Sequence, residues 1–116
     1  MKYASIILFS LFFLNQPAMS ETLSFNCTAG NTVFKDALQI NKEVEQARFG
    51  EWPFASYSEN QSAIGWSVSR LEGASLDVAS FVFVKNTLSL KLAVLSSSVD
   101  PSKERVGVWQ CVQPLR

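Results

Sequence analysis

Histidine is absent from the 116 residues. With it go the usual general base at neutral pH, the Ser-His-Asp arrangement and the commonest metal ligand. No GxSxG, P-loop or GxGxxG pattern occurs, so the nucleophile elbow and the phosphate-cradling glycine loops are missing too. Cysteine occurs twice, at Cys27 and Cys111, with no CxxC, which argues against a redox pair or a zinc site. Ten basic residues balance ten acidic ones without a run of either sign. That leaves no electrostatic footprint for nucleic acid or for an anionic membrane surface. There is no internal repeat, and the serine clusters are too short to make a linker. Carboxylates scatter from Asp36 to Glu104. Two of them meeting in space would suit glycoside hydrolysis, but solvated surface carboxylates are the rule. The expectation is a chain with no catalytic residues, no metal and no cofactor.

What is present begins with a targeting pattern. Met1-Lys2 supplies a positive end, Ile6 to Leu14 a short apolar run, and Ala18-Met19-Ser20 small residues at cleavage spacing. This predicts a secretory signal peptide over residues 1–20, cut before Glu21. The apolar run is shorter than the ~20 residues that a membrane helix needs, so no integral membrane segment is expected after cleavage. Residues 21–116 are expected to form one β domain, 96 residues long, exported to the periplasm or the medium. Losing Lys2 leaves nine basic against ten acidic residues, a net charge of −1.

In an oxidising compartment two cysteines read as a pair. A Cys27–Cys111 bridge would close a loop of about 85 residues and, in the loop-entropy model, contribute about 4–5 kcal/mol. The alternating pattern around both cysteines makes it a clasp between the first and last strands.

The clearest strands are Ser80 to Leu95. Phe81 and Phe83 point one way, Val82 and Val84 the other; Leu88, Leu90, Leu92 and Val94 alternate with Ser89, Lys91 and Ala93. A period of two is a strand signal, and Lys85-Asn86 is the expected turn, since asparagine tolerates the left-handed conformation. Leu23, Phe25 and Cys27 alternate likewise, as do Ile64, Trp66 and Val68, and Gly107, Trp109 and Cys111. Residues 36–49 read either as two strands broken at Asn41-Lys42-Glu43 or as a helix rich in Ala, Gln, Glu and Leu; strands are favoured. The sum is an all-β fold, a small antiparallel barrel or sandwich of seven to eight short strands.

Outside the alternating segments lies Glu51-Trp52-Pro53-Phe54-Ala55-Ser56-Tyr57. Trp52, Phe54 and Tyr57 around a proline are candidate binding residues, because aromatic side chains give large contact area at little entropy cost. The competing and favoured reading is that Trp52 and Phe54 cap the open end of the fold. Two Asn-x-Ser/Thr sequons, at Asn26 and Asn60, matter only in a host that glycosylates them.

The layout resembles small periplasmic inhibitors of C-type lysozyme, in Phe25-Asn26-Cys27-Thr28-Ala29-Gly30 near the front and Trp109-Gln110-Cys111 near the back. The Ser-Gly and tyrosine pattern of their inhibitory loop is missing. Glu72-Gly73-Ala74-Ser75 is the nearest stretch and lacks the tyrosine, so no binding residue carries over. The functional expectation is an exported β domain that binds an unidentified protein, with an enzyme in the bacterial envelope as one class of target. The alternative is a structural or assembly component of a cell-surface or periplasmic complex. An enzyme built on scattered carboxylates ranks last.

Overall fold

The computed structural model describes residues 22–114; the expected signal peptide lies outside them. Nine strands follow in chain order: β1 Thr22–Ala29, β2 Thr32–Asn41, β3 Gln46–Phe49, β4 Ala55–Ser56, β5 Ser58–Glu59, β6 Ala63–Glu72, β7 Ser75–Val84, β8 Ser89–Ser96 and β9 Arg105–Val112. All pairings are antiparallel, in the order β4-β3-β2-β1-β9-β8-β7-β6-β5, and the sheet curls into a nearly closed barrel. Among the described residues the only helical element is one 3-10 turn, Pro101–Lys103, between β8 and β9.

The count of nine exceeds the seven or eight expected because one short segment is split. The five residues from Ala55 to Glu59 pair with β3 through Ala55–Ser56 and with β6 through Ser58–Glu59. Tyr57 is the bend between them, and its N–H donates to the Glu45 carbonyl at 3.1 Å. What the sheet order presents as two edges is thus one continuous piece of chain, and the row of unpaired backbone groups that an open sheet exposes is largely covered.

Turns fall where the glycines allow them. Gly30-Asn31 and Gly73-Ala74 are two-residue connections with positive φ at the glycine only, +60° and +62°. That is the backbone of a hairpin turn whose first central residue must be glycine. The β7–β8 connection differs from expectation. Val84 pairs with Ser89, so the turn spans the four residues Lys85 to Leu88, with Leu88 at φ +56°. Leu88 leaves the strand, while Leu90, Leu92 and Val94 keep their inward phase. Residues 36–49 adopt the strand reading, with β2 and β3 joined across Lys42–Glu45. Asn41 fixes that turn, its Oδ1 accepting from the Glu43 and Val44 N–H groups at 3.0 and 3.4 Å.

Cys27 and Cys111 are direct register partners on β1 and β9 and form a disulfide. The β1–β9 ladder has three register pairs, against ten between β6 and β7. The covalent link therefore sits on one of the shortest ladders of the barrel. Inside lie Phe25, Leu38, Ile40, Phe49, Trp66, Phe81, Phe83, Leu90, Leu92 and Val94. Trp66 stacks on Phe81 with ring centroids 5.0 Å apart, and Phe25 meets Phe83 at 5.2 Å. Burying each large apolar side chain is worth about 1.5–3 kcal/mol.

Candidate functional site

One end of the barrel carries the β1–β2 and β6–β7 turns, the β8–β9 connection and the segment leaving β3. A cleft of about 460 Å³ opens there. Phe81 and Leu92 lie at its floor, midway along β7 and β8; Phe34, Phe49, Trp52 and Trp109 wall it; Arg70, Arg105 and Glu51 bring charge. Its volume lies within the ~300–1,000 Å³ typical of small-ligand sites, which favour the mouths of barrels.

Two backbone irregularities shape the walls. Between the pairs Phe25↔Leu38 and Cys27↔Phe34, β2 uses two more residues than β1. Asp36 takes φ +51° in this bulge, and its N–H donates to Asn26 Oδ1 at 2.9 Å. The two extra residues leave the strand's parity unchanged, so Phe34 keeps the inward phase of Leu38 and Ile40. Its ring meets Phe49 edge-on at 5.9 Å and Trp109 at 6.1 Å. The second irregularity is Gly50 at φ +65°, where the chain turns off β3 with the Phe34 ring packed close against it.

The segment after that turn does not act as one patch. Trp52 is buried, 6% exposed, and lines the cleft. Phe54 stays at the surface under the Arg48 guanidinium, 4.8 Å from its ring centroid. Tyr57 packs partly buried against the core at the barrel seam. Burial, then the charges of Glu59 and Glu45, push its phenol above the ordinary value. Of the three candidate binding residues, the cleft therefore brings in Trp52 alone.

The arginines are what the sequence reading missed, although the signal was there. Arg70 continues the inward phase of Ile64, Trp66 and Val68, and Arg105 that of Gly107, Trp109 and Cys111. A charge in phase with an apolar strand face points into the barrel. Arg70 places its guanidinium 3.9 Å above the Trp52 ring centroid, a cation–π contact worth about 0.5–2 kcal/mol. Its Nε is buried without a hydrogen-bond partner. Among the described residues the ion pairs are Lys85–Glu59 and Lys103–Glu72, so neither cleft arginine is in one. Asp77, the register partner of Arg70, is buried but accepts its hydrogen bond from the Ser96 hydroxyl.

Chemically, the cleft offers cationic nitrogen donors above flat apolar walls. Thr32 and Glu51 are the lining residues with a hydroxyl or a carboxylate, and among the described residues no group of three metal-ligating side chains occurs. No family model, curated protein or solved structure matches this chain.

Proposed function

We propose that this chain is an exported, non-catalytic binding domain that holds a protein partner at the cleft end of its barrel. The observation that carries this reading is the cleft itself, where Trp52, Trp109, Phe34, Arg70 and Arg105 converge. Tryptophan and arginine are the residue types that dominate binding energy at protein interfaces. Phe54 and Arg48 extend the same chemistry onto the adjoining surface. The disulfide and the leader-like residues 1–20 support export. An extracytoplasmic enzyme blocked by the domain is one form such a partner takes.

An assembly component that lends an edge strand is the weaker reading, because β4 and β5 are halves of one closing segment. Chemical cross-linking in envelope extract tests the proposal. The chain from Glu21 onward is expected to capture a stoichiometric foreign protein, and Arg105→Glu to lose it while keeping its thermal transition. Cross-links only between copies of the chain, or capture indifferent to Arg105→Glu, would overturn it.

A further inference from the structure

The kind of group that enters the cleft follows from its charge and shape. Arg70 and Arg105 contribute two positive charges and Glu51 one negative, a net of +1 along the lining. Asp77, the cross-strand neighbour of Arg70, is buried, bonded to the Ser96 hydroxyl and not part of the lining. A dianion is poorly matched to such a balance, whereas a single carboxylate is well matched. The guanidinium fork suits a planar carboxylate. The Nε of Arg70 is itself occluded and has no hydrogen-bond partner, so the donors that Arg70 offers to an acceptor in the cleft are its terminal guanidinium nitrogens. Beside the charges, Phe49, Phe81 and Leu92 contribute apolar surface, and Trp109 a flat ring with one N–H donor.

We propose that the cleft is a carboxylate site. It receives one carboxylate joined to a flat apolar group, as a terminal or acidic residue beside an aromatic one would present it. The carboxylate meets Arg70 and Arg105 and the flat group lies against Phe34 and Trp109. This rests on the binding reading above and names what the partner inserts. A free aromatic acid carries the same chemistry, so small probes report on it directly.

The test uses N-acetyl-phenylalanine, its uncharged amide and phenyl phosphate, titrated against the oxidised chain. Tryptophan fluorescence follows binding, since Trp52 and Trp109 line the cleft. The acid is expected to quench saturably, with the amide at least about tenfold weaker, the scale of a lost charge-assisted hydrogen bond. Phenyl phosphate is expected to bind more weakly than the acid at pH 8, where it is a dianion, and Glu51→Gln to narrow that gap. Arg105→Gln, at an exposed position, is expected to weaken the acid about tenfold without unfolding the barrel; Arg70→Met should do the same if it folds. Equal affinity for acid and amide, tighter binding of the phosphate, or no binding of any probe would overturn the carboxylate site. The two readings fail separately. Silent probes with partner capture still sensitive to Arg105→Glu would leave the binding domain standing. Probe binding with capture indifferent to that change would leave the carboxylate site and remove the partner.

Discussion

Arg70 lies over Trp52, its guanidinium carbon 3.9 Å from the ring centroid. The contact ties the loop after β3 to the inner face of β6, two elements that share no backbone ladder. Trp52 is thereby both buried and a wall of the cleft.

Replacing Trp52 by alanine should therefore damage the fold as well as the site. A buried aromatic truncated to alanine costs about 3–5 kcal/mol, a large share of the ~5–15 kcal/mol that holds a domain together. Urea unfolding of Trp52→Ala is expected to show a markedly lower midpoint. Phe54→Ala, at a surface position, should move it by less than about 1 kcal/mol. Equal, small effects would mean that Trp52 does not cap the barrel.

The Cys27–Cys111 bridge makes a second prediction. Cys27→Ser with Cys111→Ser is expected to cost about 2–5 kcal/mol, read as a fall in Tm on calorimetry. The loss should match that of the wild-type chain under reducing conditions.

Gly50 sits at φ +65°. A Cβ there would meet the Phe34 ring only at ordinary contact distance, so the cost of Gly50→Ala is conformational, about 1–2 kcal/mol for an L-residue forced into the left-handed region. Gly107→Ala, with open space around the added carbon and no positive φ, should be nearly silent in the same thermal melts.

Titration should erode stability at both ends of the pH scale. Glu59 is held below the usual carboxylate range chiefly by its hydrogen bond from Lys85. Asp100 is held low by the backbone N–H of Ser102 and then by that residue's hydroxyl. A depressed folded-state pKa contributes stability that is present above the unfolded value, near pH 4, and is lost as pH falls through the folded one. Tyr57 has the opposite sense. Its raised pKa contributes stability that is complete below the unfolded value, near pH 10, and disappears as pH rises through the folded one. Denaturant midpoints against pH should fall on both flanks. Tyr57→Phe should flatten the alkaline flank and leave the acid one; Asp100→Asn should flatten part of the acid flank alone.

Much of this architecture is legible from alternation. The inward phases of Phe81 and Phe83, of Leu90 to Val94 and of Trp109 and Cys111 all hold, because a barrel wall has one dry face and a strand can satisfy it only with period two. What stays hidden is where that period is interrupted. The bulge at Asp36 and the left-handed Leu88 are set by cross-strand partners, Asn26 among them, that local sequence does not announce. The bend at Tyr57 is likewise visible only once β3 and β6 flank it. The cleft is half legible. Trp52 stands out by its neighbours, whereas Arg70 and Arg105 emerge only when the parity of their strands is followed to its end.

The disulfide lies at the middle of the strand order and the Ala55–Glu59 segment at its two ends. The barrel is thus two sequence-contiguous hairpin stacks, β1 to β4 and β5 to β9, hinged by sulfur on one side and by a single peptide stretch on the other. Were a protease to sever the chain beside Tyr57, the halves would stay one covalent molecule, and only reductant would let them part on a gel.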